Sequence, residues 1–234
     1  WERLASRWTA VVVAVGDGEA EEGRRRSIDA PIEVIRNPVP PGWSPRTAAD
    51  RSRARAELGL PHGPIAVCVG RFSRQKGQDV LVTAWPQVRR SVPDATLVLV
   101  GDGPDLDQVR ANAGPGIQFP GPTDDPRPYL AAADIAILPS RWEGLSLSML
   151  EAMASARSLV VTDVAGSEVV TAADSGAVVP VDDPPALAEA IAVRLGGRVD
   201  IEAEGRRGAQ FVAEFHDFET EMVRLARVIA AAAG

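Results

Sequence analysis

Short apolar runs alternate with charged, mixed stretches along most of this 234-residue chain. The run IAVCV at residues 65–69 is continuous, which is typical of a strand buried on both faces of a sheet. The longer mixed stretches read as helices, and Gly or Pro separates many of the segments. The pattern predicts strands at residues 11–15, 32–35, 65–69, 96–100, 117–119, 135–138, 159–162 and 177–179. It predicts helices at residues 51–58, 78–90, 105–113, 128–133, 146–155, 166–172, 184–193, 201–214 and 217–232.

This steady alternation predicts an α/β fold, a Rossmann-like doubly wound parallel sheet with helices on both faces. We expect right-handed crossovers and a ligand site outside the carboxyl ends of the strands. Five loops follow strands and should therefore gather at that edge. They are residues 70–77, 101–104, 120–123, 139–144 and 163–168.

A domain boundary is predicted near residue 41, because prolines at 38, 40 and 41 make a stiff extended linker. The preceding residues hold only two strands and an opening, residues 1–4, that looks like the middle of a helix. That is too little for a stable core. We expect residues 1–41 to be the remnant of another lobe in a larger protein, and residues 42–234 to form the main domain.

Composition and charge narrow the function classes. The chain is 45% hydrophobic and 24% charged, as is usual for soluble domains, and its net charge of −7 argues against a general nucleic-acid binder. The single cysteine, Cys68, cannot form an intrachain disulfide and reads as a small buried strand residue. The sequence has no apolar stretch near the ~20 residues of a membrane span, and its opening residues do not show a basic region followed by a secretory apolar core. We expect a cytoplasmic protein with no transmembrane segment. This expectation includes a protein that associates peripherally with a membrane.

The loop after the third predicted strand carries two separated cations, Arg71 and Lys76. A departing diphosphate develops negative charge, which fixed cations stabilise without a metal. Arg can bind two phosphate oxygens at once, and Lys acts as a point charge. A solvated basic turn is the alternative interpretation, since Arg74 lies between them. The position after a buried strand favours a binding role.

Two glutamates, Glu143 and Glu151, lie eight positions apart around the start of a predicted helix. Carboxylates suit the hydroxyls of a sugar and a ribose, and the free amides of a helix start suit a phosphate. Gly144 lets the backbone approach a ligand closely. Glu151 alone would read as an ordinary solvated helix glutamate. With the cation loop, the pair predicts a pocket for a nucleotide-diphosphate sugar.

The remaining motifs give weaker signals. Residues 101–103, GDG, lack the third glycine of a dinucleotide fingerprint, so they read as a tight turn and a helix start. His62 and His216 are isolated, which favours structural or surface roles, and we expect no metal site. The sequence has neither a G-x-S-x-G elbow nor a P-loop.

Four stretches make the chain resemble the C-terminal, donor-binding half of GT-B-type retaining glycosyltransferases of the large family 4 group. They are VGRFSRQKG (69–77), LVGDGP (99–104), LPSRWEGLSLSMLEAMA (138–154) and VPVDDP (179–184) with Leu187. Their order and spacing match the family over roughly residues 34–234. The combination is specific, whereas each stretch alone is weak.

The resemblance implies two Rossmann-like lobes with a cleft between them. It implies transfer of a sugar, with retention, from a nucleotide-diphosphate sugar to an acceptor hydroxyl, without a metal or other cofactor. UDP is the expected nucleotide because it is the commonest in the resembled group. By motif position, Arg71 and Lys76 would hold the diphosphate, Glu143 would contact the sugar hydroxyls and Glu151 the ribose hydroxyls.

The resemblance also assigns backbone contacts with the donor. The amides of residues 145–147 would support the distal phosphate and sugar, and the backbone near residues 119–121 would meet the base. The donor-binding residues implied in this way are Gly70, Phe119, Pro120, Gly144, Leu145, Ser146 and Leu147.

The chain departs from the family pattern at Ser146, where a glycine is common, and in lacking most of the N-terminal lobe. A missing acceptor lobe leaves a second hypothesis open, a non-catalytic module that binds nucleotide sugars. The last predicted helix would normally cross onto that lobe, so the expected partners are an N-terminal lobe or a second copy of the chain. A dehydrogenase is disfavoured because the sequence lacks a complete glycine fingerprint. A nucleotide-sugar epimerase is disfavoured because the glutamate pair favours sugar transfer.

Overall fold

The computed structural model describes residues 8–233, and the helix predicted at residues 1–4 lies outside them. The described strands are β1 (Val12–Ala14), β2 (Ile32–Val34), β3 (Ile65–Val69), β4 (Thr96–Val100), β5 (Ile117–Gly121), β6 (Ile135–Leu138), β7 (Ser158–Thr162) and β8 (Gly176–Val179). The helices are α1 (Asp17–Arg25), α2 (Ala48–Glu57), α3 (Gln78–Ser91), α4 (Leu106–Ala111), α5 (Arg127–Ala132), α6 (Leu147–Ala154), α7 (Glu168–Ala172), α8 (Pro184–Leu195), α9 (Ile201–Phe215) and α10 (Phe218–Ala233). A 3-10 turn (Arg74–Lys76) precedes α3.

The main sheet has six strands in the order β5-β4-β3-β6-β7-β8, and every pairing is parallel. The chain moves outward from β3 to β5, returns to the other side of β3, and moves outward again from β6 to β8. One apolar core lies on each face of the sheet, so helices cover both faces. The predicted doubly wound α/β fold is confirmed.

Strand β3 shows how the apolar runs arise. Ala66 and Cys68 belong to the core formed with α3 and α8, whereas Ile65 and Val67 belong to the core formed with α6 and α9. A strand buried on both faces has no position that favours a polar residue. Burial also raises the pKa of the Cys68 thiol to about 12, so the thiol stays protonated near neutral pH.

Helix α1 is an element that the pattern did not indicate. Its buried residues are Ala20 and Gly23, so it lacks the stripe of large apolar side chains that marks an amphipathic helix. It connects β1 and β2, which pair in parallel and form a separate two-stranded sheet.

Two of the boundaries that differ from the predicted ones have a clear local cause. Helix α2 begins at Ala48, three residues early, because Thr47 and Asp50 form a capping box in which each side chain accepts a hydrogen bond from the other residue's amide. Strand β5 runs on through Pro120 to Gly121. It is an edge strand of the sheet, where the missing proline amide is tolerated.

The segment between the two sheets is bonded to the C-terminal region. The amide of Arg36 donates to the buried Glu221 carboxylate (3.0 Å), and the amide of Val39 donates to the carbonyl of buried His216 (3.0 Å). The division into residues 1–41 and 42–234 stays a prediction. Among the described residues, no helix is both long and apolar enough to cross a membrane.

An ion pair is enclosed between α8, α9 and β7. Arg194 donates to both carboxylate oxygens of Glu204, with Nη2–Oε1 at 2.7 Å and Nε–Oε2 at 3.0 Å, and Ser158 Oγ donates to the same carboxylate. The two charged side chains are only 8% and 7% exposed. Removing one partner would therefore leave the other charge buried and unpaired.

We expect Arg194→Met to lower the free energy of unfolding by about 3–5 kcal/mol. The double variant Arg194→Met/Glu204→Leu should recover most of that loss, because it removes both charges together. Urea unfolding of the three proteins measures both values.

The matched control for this pair is Arg207→Met, since Arg207 forms an exposed ion pair with Asp174. Its effect should stay within about 1 kcal/mol. A single Arg194→Met variant as stable as the control would contradict the assigned role.

Candidate functional site

The loops that follow the strands gather at one edge of the main sheet, as predicted. The amide of Gly70 donates to the carbonyl of Val100 (3.0 Å), and the amide of Gly101 donates to the carbonyl of Gly121 (2.9 Å). Strands β3 and β6 are neighbours although the chain visits β4 and β5 between them. The edge beside β3 and β6 is thus the topological switch point, where ligands bind in open α/β sheets.

Two of the predicted site residues meet at this switch point. Lys76 Nζ lies 2.6 Å from Glu143 Oε1, although the residues come from the separate loops after β3 and β6. The Ser140 hydroxyl donates to the same carboxylate oxygen at 2.8 Å. The Lys76 and Glu143 side chains are 23% and 12% exposed, so the pair is shielded but reachable. Glu143 Oε2 has no hydrogen bond to any described residue, which leaves one acceptor oxygen for a ligand.

The approach of the two loops depends on Gly77, which directly follows Lys76. Gly77 has a φ of +66°, and a Cβ built on it would lie 2.0 Å from the carbonyl oxygen of Pro139. A side chain there would push the loops apart. Glycine at this position therefore allows Lys76 to reach Glu143.

Arg71 opens the same loop and is exposed, with no hydrogen bond or ion pair from its guanidinium to the described residues. Its backbone is held, because Gln78 Nε2 donates to its carbonyl at 3.0 Å. The next residue, Phe72, is buried and anchors the loop in the core. The side chain of Lys76 passes beside Gly70, about 4 Å from where a Cβ would stand. A free and a paired cation thus share one loop.

Helix α6 begins at Leu147, between Glu143 and Glu151, where the sequence predicted a helix start. Ser146 is the N-cap residue, but its side chain makes no capping hydrogen bond. The amides of Leu145, Ser146 and Leu147 have no acceptor among the described residues, since the first backbone bond of the helix runs from Leu150 to Ser146 (3.2 Å). Unpartnered amides at a helix start form a positive site suited to an anion.

Glu151 lies one turn into α6 and is half-buried. Met149, Leu150 and Met153 are buried on the same helix, and they fix its orientation. The Glu151 carboxylate makes no hydrogen bond or ion pair to the described residues, and burial raises its pKa above the ordinary value. A half-buried carboxylate without a partner is costly for the fold, which is typical of functional positions.

The predicted base-contacting residues, Phe119 and Pro120, lie at the end of β5. The Phe119 ring packs 6.1 Å from the Phe72 ring, and the Arg110 guanidinium covers it at 5.2 Å. The Phe119 side chain therefore belongs to the core. Backbone groups and exposed Pro120 are what this position offers a ligand, and contact with a base stays a prediction.

Sequence reasoning missed the role of Asn37. Its side-chain amide donates to the carbonyl of Leu145 at 2.8 Å, beside the start of α6. Its own carbonyl lies 2.9 Å from Nδ1 of His216, so the histidine predicted to be structural or superficial is buried and structural. Burial lowers the pKa of His216, which keeps it neutral. The prolines of the linker marked this segment in the sequence, but nothing there pointed to Asn37.

A cavity of about 300 Å³ lies beside the helix start, between the N-terminal βαβ unit and the main domain. Leu145, Val169 and Phe211 give it an apolar floor, and the ion pair between Arg36 and Asp17 (2.7 Å) lies at its rim. It shares Gly144 with the smaller hollow at Glu143. The cavity therefore borders the site.

Comparison with known proteins gives a family. A family model described as "Glycosyl transferases group 1" matches residues 63–196, more than half of the chain. A GDP-mannose-dependent alpha-(1-6)-phosphatidylinositol monomannoside mannosyltransferase of Mycolicibacterium smegmatis is 31% identical over 214 aligned residues, in an alignment that covers 82% of this chain and 55% of that protein. The chain belongs to the group 1 glycosyl transferases. An alpha-maltose-1-phosphate synthase of the same organism is 33% identical over 200 aligned residues, in an alignment that covers 77% of this chain and 51% of that protein.

Solved structures place this group 1 glycosyl transferase chain among proteins of GT-B type. Sucrose-phosphate synthase from Thermosynechococcus elongatus superposes with a TM-score of 0.83 at 27% identity, over 98% of this chain and 61% of that one. Anabaena HepE, solved with UDP and glucose, superposes with a TM-score of 0.87 at 21% identity, over 98% and 65%, a likeness of fold. The chain spans about half the length of the curated relatives that it matches.

We expect Glu151→Gln to raise the melting temperature at pH 7. Burial raises the folded-state pKa of Glu151, so the fold disfavours the ionised form at every pH above that pKa. The wild type loses this cost as the pH falls through the raised pKa, where the carboxyl becomes protonated. The stabilising effect of the neutral glutamine should therefore shrink with falling pH, as calorimetry at several pH values would show.

Glu214→Gln serves as the control, since Glu214 is an exposed glutamate of α9 without a polar partner among the described residues. Equal changes in melting temperature for both variants at pH 7 would contradict the cost assigned to Glu151.

Proposed function

We propose that this chain is the donor-binding part of a glycosyltransferase that uses a nucleotide-diphosphate sugar. The observation that carries the proposal is the contact between Lys76 and Glu143, 2.6 Å apart at the switch point. A cation, a carboxylate with one unbonded oxygen and the free amides of α6 converge there. A sugar diphosphate has the complementary groups, hydroxyls next to anionic phosphates.

The diphosphate would bind between the cation loop and the start of α6. Lys76 is partly shielded and held by Glu143, so it supplies a fixed positive charge. Arg71 is exposed and free to close on two phosphate oxygens. The amides of residues 145–147 would donate to the remaining oxygens. These groups stabilise the charge that grows as the diphosphate departs.

Glu143 would accept hydrogen bonds from the sugar. Its Oε1 is occupied by Lys76 and Ser140, so Oε2 is the oxygen offered to a sugar hydroxyl. Lys76 then links the two halves of the donor, because it touches the sugar-binding carboxylate and lies in the diphosphate loop. Gly144 leaves room for the sugar beside the backbone, since a Cβ there would meet nothing closer than Val15 at 3.8 Å.

Glu151 would accept hydrogen bonds from the ribose hydroxyls. Its carboxylate has no partner within the described structure, so the ribose would supply the missing donors. Binding would in this way offset part of the cost of burying the charge.

The proposed reaction is attack by an acceptor hydroxyl on the anomeric carbon of the donor. The new bond from that carbon to the acceptor oxygen forms as its bond to the β-phosphate oxygen breaks, and the acceptor proton leaves for the departing diphosphate or solvent. Retention and metal independence are parts of this proposal that the family resemblance supports, and a cytoplasmic location is proposed with them. The cavity beside Gly144 is where the acceptor would approach.

The nucleotide is proposed as UDP, with GDP as the rival. A mannosyltransferase relative is named as GDP-mannose-dependent, whereas HepE was solved with UDP and glucose. Calorimetric titration with UDP, GDP and ADP, each with and without Mg²⁺, would decide between them.

We expect Lys76→Ala and Arg71→Ala each to weaken binding of the preferred nucleoside diphosphate about 10- to 100-fold, because each removes charge-assisted hydrogen bonds to phosphate. Calorimetry measures the two dissociation constants. The control is Arg74→Ala, which removes the same charge from the same loop on the side facing Asp79 and Asp105.

Wild-type affinity in both site variants would sink the assignment, as would an equal loss in the control. A folded chain that binds the nucleoside diphosphate, but does not release it from a nucleotide-diphosphate sugar by turnover, would fit the hypothesis of a non-catalytic binding module.

We also expect Glu151→Gln to bind the nucleotide more weakly although it is more stable. A neutral amide is a poorer acceptor for ribose hydroxyls than a carboxylate. Titration of the same variant with the 2′-deoxynucleotide checks the contact, since loss of one hydroxyl should matter less in the variant than in the wild type.

A further inference from the structure

Arg141 contacts three separate elements around the proposed donor site. Its Nε donates to Asp182 Oδ1 (2.7 Å), after β8, and its Nη1 donates to the carbonyl of Arg74 (2.7 Å), in the cation loop. Nη1 and Nη2 also bind both carboxylate oxygens of Asp79 at 3.0 and 2.7 Å, in the first turn of α3. The side chain is 15% exposed. Such a planar fork fits several acceptors in one fixed geometry.

Two further hydrogen bonds join the cation loop to the loop after β6, which carries Arg141. The amide of Arg141 donates to the carbonyl of Gln75 (2.7 Å), and Gln75 Nε2 donates to the carbonyl of Trp142 (3.0 Å). Gln75 precedes Lys76, and Trp142 precedes Glu143. These bonds therefore hold the residues directly before Lys76 and Glu143, and so set the relative position of the two charged side chains.

We propose that Arg141, held by Asp79 and Asp182, is a positioning residue of the donor site that fixes Lys76 against Glu143. This inference rests on the proposed function. Arg141 acts through the loops and not as a third cation for the diphosphate, because two carboxylates match its charge and four of its five N–H donors are engaged.

The backbone of Asp182 supports this role. Asp182 has a φ of +55°, in the left-handed region where a glycine would be unstrained. Aspartate is less stable than glycine in this backbone conformation, but it supplies a carboxylate to Arg141. The VPVDDP stretch drew attention in the sequence without a role for this residue. The contact with Arg141 gives it one.

The chain contains a matched pair far from the site. Asp174 also has a positive φ, +47°, and its carboxylate binds Arg207 at 2.9 Å. It precedes β8, whereas Asp182 follows it, so the two aspartates lie at opposite ends of the sheet. Asp174→Gly and Arg207→Lys therefore repeat the chemistry of Asp182→Gly and Arg141→Lys away from the proposed site.

The experiment measures melting temperature and nucleotide affinity for these four variants and the wild type. UDP, GDP and ADP are titrated first, and the best binder is then compared with its monophosphate. The dissociation constant of the monophosphate divided by that of the diphosphate isolates the contribution of the second phosphate, which the loops must hold. A purely structural role would change both affinities together.

We expect Arg141→Lys to reduce this ratio about tenfold, and Asp182→Gly to reduce it less, with no loss of melting temperature in Asp182→Gly because the backbone is relieved. The controls should keep the wild-type ratio. In a double-mutant cycle, Arg141→Lys should add little to Lys76→Ala, because both act on the same contact.

An unchanged ratio in Arg141→Lys and Asp182→Gly, with nucleotide binding intact in the wild type, would overturn the positioning role alone. So would equal losses for monophosphate and diphosphate together with a lower melting temperature. Failure of the folded wild type to bind any of the three diphosphates would overturn the proposed function, and the positioning role with it.

Discussion

The pairing of β3 with β6 is the constraint on which the site depends. These strands are neighbours in space but are separated in the chain by two strands and their helices, so their trailing loops meet only once the whole sheet is assembled. Lys76 and Glu143 come from those two loops. The close approach of Gly77 to Pro139 then brings the loops within ion-pair distance. The charged centre is thus a product of sheet order and of one residue without a side chain.

Charged groups away from the site are held by close partners. Arg194 pairs with Glu204, and the fully buried Arg157 donates to the carbonyls of Ser155, Ala133 and Arg46. At the strand edge, the carboxylate of Glu151 and the first amides of α6 are left without partners. These unpaired groups make the fold less stable than it would be if each had a partner. Such a cost is typical of functional sites.

The main sheet, and the edge where the loops after its strands gather, could be predicted because burial on both faces makes parallel strands continuous apolar runs. The loops that follow them, with Arg71, Lys76 and the glutamates, stand out as charge next to apolar sequence. Helix α1 could not be predicted, since it buries only Ala20 and Gly23. Arg141 and Asn37 could not be assigned either, because their partners are distant in the chain and only the folded structure brings them together.

Asn37 has one more consequence. The peptide group between Leu145 and Ser146 is planar and trans, so its C=O and N–H directions are opposed. By holding the carbonyl at 2.8 Å, the Asn37 side chain fixes the rotation of that entire plane. The Ser146 N–H is consequently aimed away from the linker, with its direction set before any ligand arrives. A residue 108 positions earlier in the chain thereby orients a backbone dipole at the start of α6.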